Sequence, residues 1–250
     1  MPVPTIRGLL FDKDGTLFDF QATWRGVADT VIDTLGRDEP ERDRMAAAVG
    51  FDRAGGTFAP GSLIVAGATS DIARRWTGIR TDLDAAEIEA FAARAALEVV
   101  NEPGTLAPAS VDLSALLVRL KSRGLALGVA THDGEQEARA HLAAVGTLEL
   151  FDFIAGYNSG HGLKPSPGML TAFAAATGLA PETVAVIGDS VHDLEMVRQG
   201  GGALAIGVLT GPAGREDLSP AADHILPSID ALEALLDRLE GTDRNKSTDP

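Results

Sequence analysis

The chain has 250 residues, room for one domain or for a core with a smaller insertion. Its 36 acidic against 21 basic residues give a net charge of −15, which argues against nucleic acid or an anionic membrane as the main partner. No cysteine is present, so disulfides, thiol nucleophiles and Cys-ligated zinc are excluded.

At 45% hydrophobic and 5% aromatic, the chain can bury a sizeable, mostly aliphatic core. Residues 1–7 show no charged segment leading into an apolar one, and no apolar run reaches the roughly 18 residues a membrane span needs. A cytoplasmic protein is expected. The segment 6–11 is apolar with one interruption and runs into an acidic, Gly-containing turn, which predicts a short buried strand. Between 21 and 102 apolar residues recur at helical spacing, at 24–35, around 45–51 and at 85–100, with a Gly-rich stretch at 53–67. No run of buried strands is expected there.

After Pro103-Gly104 helices and strands alternate. Helices are predicted at 113–120, 135–145, 167–177, around 194–199 and at 229–239; strands at 125–130, 151–155, 184–187, 203–206 and 224–226. That alternation predicts an α/β fold, a doubly wound, Rossmann-like parallel sheet with helices on both faces. Residues 1–19 and 103–240 form this core, 20–102 a helical insertion after the first strand, and 241–250 a disordered polar tail. In such sheets ligands bind beyond the carboxyl ends of the strands.

The polar groups at those ends carry the chemistry. The first strand leads into Asp12-Lys13-Asp14-Gly15-Thr16-Leu17. Alternate residues leave a strand on one side, so Asp12 and Asp14 can share a site while Lys13 turns elsewhere. Two such carboxylates need a cation or a shared proton, and a hard ion such as Mg²⁺ suits oxygen ligands; a solvated acidic turn is the alternative. After the 184–187 strand comes Gly188-Asp189-Ser190-Val191-His192-Asp193, where Asp193 lies one helical turn past Asp189 and can fold back toward it. Those residues also suit a helix N-cap. Thr131 ends the 125–130 strand, with a hydroxyl for a phosphoryl oxygen or for a helix cap. Lys164-Pro165 precedes a helix, where a cation can neutralise phosphoryl oxygens or simply face solvent.

Taken together in this order, a DxDGT turn, a Thr at a strand end, a Lys-Pro and a GDxxxD resemble the haloacid dehalogenase superfamily. Phe11 to Leu17, Gly188-Asp189-Ser190 and Gly207-Val208-Leu209-Thr210-Gly211 look like its phosphoglycolate phosphatase group. The resemblance implies that the insertion is a small helical cap domain and that Asp12 is the nucleophile. It implies that Asp14 acts as acid and base, and that Thr131 and Lys164 hold the phosphoryl group. Mg²⁺ would be bound by Asp12, the Asp14 backbone carbonyl and Asp189, with Asp193 behind it orienting Lys164 or a metal-bound water.

Asp14 argues against a true dehalogenase, which has no leaving alkoxide to protonate. The absence of lysine between Phe20 and Glu102 argues against Schiff-base phosphonate cleavage. The expected activity is Mg²⁺-dependent hydrolysis of a small phosphorylated metabolite, with 2-phosphoglycolate first by resemblance, in a monomer or homodimer. A sugar phosphomutase on the same scaffold and a non-catalytic phosphometabolite-binding protein are the alternatives. The second motif commonly continues with Asn, whereas His132 and Asp133 follow Thr131 here. His132 is expected as a turn residue or a leaving-group contact, and Asp133 to point to solvent. His161 and His192 are candidates to line the entrance. Arg25, Arg53, Arg74 and Arg75 are candidates to meet a second anionic group, or plain surface arginines.

Overall fold

The computed structural model describes residues 5–59, 61–100 and 107–246. Strand β1 (Gly8–Phe11) is buried along its whole length, as a strand covered on both faces must be. The chain then leaves the sheet through α1 (Phe20–Leu35), α2 (Glu39–Val49), the two-residue strands β2 (Phe51–Asp52) and β3 (Thr57–Phe58), α3 (Leu63–Ala66), α4 (Thr69–Thr77) and α5 (Ala85–Val100). Asp38 starts α2 by accepting the Glu41 N–H at 2.8 Å, satisfying one of the donors a helix start leaves unpaired. Val27, Ile32, Met45, Trp76 and Ile88 belong to an apolar cluster made within this insert, to which Phe51 and Phe58 of the hairpin also belong. Burying each aliphatic side chain of that kind stabilises by about 1.5–3 kcal/mol, so the insert packs around its own centre. Trp76 Nε1–H donates to Met45 O at 2.9 Å and ties α4 to α2.

Strand pairing inside the insert was not expected. Phe51 and Phe58 face each other across the β2–β3 hairpin with stacked rings 4.8 Å apart. Two residues per strand are too few to show an alternating pattern.

Residue 107 returns the chain to the core, and the expected boundary at Pro103-Gly104 lies outside the described residues. The remaining elements are α6 (Leu113–Ser122), β4 (Ala126–Ala130), α7 (Glu135–Ala144), β5 (Phe153–Ala155), α8 (Gly168–Thr177), β6 (Val184–Gly188), α9 (Val191–Gly200), β7 (Leu204–Val208), the single turn α10 (Arg215–Leu218), β8 (His224–Leu226) and α11 (Leu232–Lys246). The sheet order is β5-β4-β1-β6-β7-β8, all neighbours parallel. Leu9 and Phe11 pack with the leucines of α6 and α11, while Leu10 packs on the other face with Phe173 of α8 and Leu194 of α9. This is the doubly wound α/β sheet expected. At the end α11 continues through Lys246, into the segment expected to be a polar tail, and 247–250 lie outside the described residues. Among the described residues no helix is long and apolar enough to cross a membrane.

Register sets the site. Phe11 lies opposite Val129 on one side and Ile187 on the other, so Asp12, Thr131 and Asp189 leave three adjacent strands at the same edge.

Candidate active site

Asp12 is held one residue past the pairing by its own N–H, which donates to Ile187 O at 2.8 Å. Lys164, from the loop before α8, spends its ammonium on three acceptors. It donates to Asp12 Oδ1 and Asp193 Oδ1, both at 2.6 Å, and to Ala130 O at 3.1 Å. Asp193 also closes the start of α9: its Oδ2 accepts the Ser190 N–H at 3.1 Å and the Ser190 hydroxyl at 2.6 Å. The capping and site roles anticipated as alternatives for Asp193 therefore coexist, one carboxylate oxygen each. Thr131 is buried, and its Oγ1 accepts the Asp133 N–H at 3.0 Å. Gly15, at φ 87°, and Gly211 leave room for Asp189, because a Cβ on either would overlap its carboxylate. The Thr210 hydroxyl donates to Gly15 O at 2.5 Å and pins that turn.

Asp12, Asp189 and Asp193 each bring a carboxylate oxygen to within 4.8 Å of the others, all buried. Burial pushes the Asp12 carboxyl up to about 7 against the pull of Lys164, with Asp193 adding repulsion. Asp189 is raised well above the ordinary carboxylate range by burial and by Asp12 and Asp193. Burial alone would lower Lys164, but Asp12 and Asp193 outweigh it and hold the ammonium above its usual value. Lys164 thus pairs with two of the three carboxylates and leaves Asp189 without a paired cation, and an all-oxygen donor set of this charge fits a hard dication such as Mg²⁺.

Lys13 does turn elsewhere. Its buried ammonium pairs with Asp14 Oδ1 at 2.6 Å and Asp133 Oδ2 at 3.2 Å, and lies 3.0 Å from His141 Nδ1 on α7. An ammonium can only donate, so His141 Nδ1 is the acceptor there and the ring proton sits on Nε2. Burial, with Lys13 beside it, pushes the imidazole down to about 3 and keeps it neutral. The solvent position expected for Asp133 is wrong: the residue is buried against Lys13, and burial pushes its carboxyl up to about 7. That pairing joins residues far apart in the chain, beyond the reach of local pattern.

Asp12, Asp14, Thr131, Lys164, Asp189 and Asp193 line one small cavity of about 60 Å³. Across it stand Trp24, Ile64, Val65 and Ile72 of the insert, and the rings of His132 and His192, 6.3 Å apart. Sequence reasoning missed the apolar insert residues, because helical spacing marks a buried side without saying what it faces. His161 packs on Phe153 instead, ring centres 5.9 Å apart. None of the four candidate arginines lines the cavity. Arg53 pairs with Asp33, Glu39 and Asp43; Arg74 pairs with Asp71; the Arg25 guanidinium lies where a Cβ on Gly56 would go; and Arg75 is exposed.

The profile of one hydrolase family, the haloacid dehalogenase-like hydrolases, matches residues 6–201. The chain is 30% identical over 199 residues to a phosphoglycolate phosphatase of Rhodospirillum rubrum, covering 78% of this chain and 76% of that protein. It is 36% identical over 124 residues to the probable phosphatase IndB of Dickeya dadantii; that match spans 50% of this chain and about half, 52%, of the relative's length. Among solved structures, CbbY of Rhodobacter sphaeroides in complex with phosphate aligns with a TM-score of 0.69 at 22% identity, covering 91% of this chain and 96% of that one. At that identity the last likeness concerns the fold.

Proposed function

This chain belongs to the haloacid dehalogenase-like hydrolase family, and from that membership we propose that it is a Mg²⁺-dependent phosphatase acting on monoesters of small metabolites through an aspartyl-phosphate. The observation that carries the reading is the bridge from Lys164 to Asp12 and Asp193 at 2.6 Å each, beside Asp189 and at the carboxyl edge of the sheet. That arrangement leaves Asp12 buried, fixed in direction and facing a cavity.

In the proposed reaction an Asp12 oxygen attacks phosphorus, the bond from phosphorus to the ester oxygen breaks, and Asp14 passes its proton to the departing alkoxide. Water then attacks the phosphorus of the aspartyl-phosphate, Asp14 takes a proton from it, and the Asp12 carboxylate is regenerated with release of phosphate. Lys164 neutralises charge developing on the phosphoryl oxygens, and the Thr131 hydroxyl hydrogen-bonds one of them. Asp193 acts through Lys164, which it holds in place. Asp12, Asp189 and the Asp14 backbone carbonyl would hold Mg²⁺, whose charge offsets the carboxylates and the incoming phosphate. Lys13 keeps the Asp14 carboxylate at the cavity wall by its 2.6 Å contact.

Residues 20–102 act as a cap over the 1–19 and 103–240 core in this reading. Trp24, Ile64, Val65 and Ile72 at the cavity support that role, and closure would keep water from the first step.

The test is phosphate release from a panel of phosphorylated metabolites, with 2-phosphoglycolate included because relatives carry that name. Release is expected with Mg²⁺, not with EDTA, and is expected to fall at least about 10³-fold in Asp12→Asn, which cannot form the acyl phosphate. Isomerised sugar phosphate without net release would point to a mutase instead. Tight binding of phosphosugars without turnover would point to a binding protein.

A further inference from the structure

The phosphatase reading leaves the organic half of the substrate open, and any assignment of that half rests on the same reading. A carboxylate or second phosphate on the substrate must find a cation or a set of donors where it comes to rest, or it stays in water. Among the described residues lining the cavity, Lys164 is the one lysine or arginine, and its three donors are committed to Asp12, Asp193 and Ala130 O. The insert lines the cavity mostly with apolar side chains, Phe20, Trp24, Ile64, Val65 and Ile72, and adds one hydroxyl, that of Thr69. The segment 60–69 that supplies Ile64 and Val65 has no ionisable side chain at all. Arginines that could have reached inward are tied down within the insert, as Arg53 and Arg74 are by their acidic neighbours.

A second cavity of about 300 Å³ adjoins the first, sharing Val65, Asp189, Ser190 and His192 with it and continuing past Pro212 and Ala213. The charged groups on its wall are the carboxylates of Asp189 and Asp217. An anionic organic group would therefore meet a largely apolar surface in one direction and the Asp217 carboxylate in the other, Asp189 being committed to the proposed metal. Trp24 Nε1 and His192 Nδ1, both buried, are without protein partners at these walls. They suit a hydroxyl, carbonyl or ring nitrogen.

We propose that the substrate is the phosphate monoester of an uncharged, partly apolar alcohol, its body on Ile64 and Val65 and one neutral polar atom reaching Trp24 or His192. The site selects against esters that carry a second negative charge, 2-phosphoglycolate included.

Matched pairs test this. 2-Hydroxyethyl phosphate differs from 2-phosphoglycolate by a hydroxymethyl group in place of the carboxylate, and phenyl phosphate pairs in the same way with 4-carboxyphenyl phosphate. With Mg²⁺ at pH 8, above the ordinary imidazole range, kcat/KM is expected to favour the neutral member of each pair by about tenfold or more. Val65→Arg places a cation on the apolar wall and should shrink that ratio at least fivefold, whereas the neutral Val65→Met should leave it in place. A wild-type preference for the carboxylated member in both pairs overturns the proposal. An unchanged ratio in Val65→Arg removes Val65 from the substrate surface and overturns it too. Absence of phosphate release from all four esters would be a different failure, that of the phosphatase reading itself.

Discussion

Asp189 offers the sharpest test of how this site holds its charge. It is buried, it lies within 4.8 Å of carboxylate oxygens of Asp12 and Asp193, and Lys164 is committed to those two rather than to it. At an effective dielectric of about 20, two unit charges 4.8 Å apart repel by about 3.5 kcal/mol. Two such repulsions exceed what the residue can tolerate, since it can instead take up a proton. At pH 7 that uptake costs about 4 kcal/mol for a carboxyl ordinarily near 3.9, which sets the ceiling. Asp189→Asn removes the charge and keeps the shape. In EDTA at pH 7 the variant is expected to be about 2–4 kcal/mol more stable to urea than wild type. Because burial and the two neighbouring carboxylates raise Asp189, the folded state binds more protons than the unfolded one above about pH 4. Wild-type stability from this group therefore falls as pH rises. The advantage of the Asn variant should grow with pH, by at most about 1.4 kcal/mol per unit, and shrink to about 1.5 kcal/mol at pH 5. Adding Mg²⁺ at a hundred times its Kd stabilises wild type by about 2.7 kcal/mol and should largely close the gap. A variant less stable than wild type in EDTA, or a gap that does not move between pH 5 and 8, would refute the reasoning.

Lys13→Met strips the buried Asp133 and the part-buried Asp14 of their cation and should cost about 3–5 kcal/mol in urea denaturation. Adding Asp133→Asn to it should recover a substantial part, and an unimproved double variant would show that Asp133 is not the charge left uncompensated. Gly211→Ala puts a methyl group where the Asp189 carboxylate lies. The Mg²⁺ concentration for half-maximal phosphate release should rise at least about tenfold, the loss typical when the surroundings that orient a metal ligand are disturbed, while melting in EDTA shifts by a few degrees; unchanged Mg²⁺ dependence would argue that Asp189 does not bind the ion.

Most of the proposed site was legible because its residues follow a strand or lie in the first turn of a helix, where short-range pattern is informative; Lys164, from a loop, is the exception. Asp12, Thr131 and Asp189 each come one residue after β1, β4 and β6, and a parallel sheet gathers such positions whatever the intervening sequence. Lys164 and Asp193 were legible by motif, and the structure adds how they serve each other. The partner of Asp133 was not legible, since a carboxylate after a strand reads as solvated unless its cation, here far away on β1's exit turn, is already known. The insert was read least well. Its hairpin and α3 are too short for any period to show, and Arg53 reads as a ligand candidate because its acidic partners, Asp33, Glu39 and Asp43, lie on other helices of the same insert.

One strand end feeds two separate charge clusters, and the alternation of β1 explains why they do not collapse into one. Asp12 leaves on the side of Lys164, Asp189 and Asp193, and Lys13 on the side of Asp133 and His141. Asp14 stands at the boundary, its carboxylate paired to Lys13 yet lining the cavity with Asp12. The two lysines therefore divide the work. Lys164 is positioned to balance Asp12 and a phosphate, and would be lost to them if it also had to hold Asp14. Lys13 takes that second task from within the core, beneath Trp24, whose ring lies 5.9 Å from its ammonium. Trp24 in turn lines the cavity from the insert side. The position of the proposed acid is thereby tied through Lys13 to the α1 helix of the insert, so a displacement of that helix has a direct mechanical route to the group that must meet the leaving oxygen.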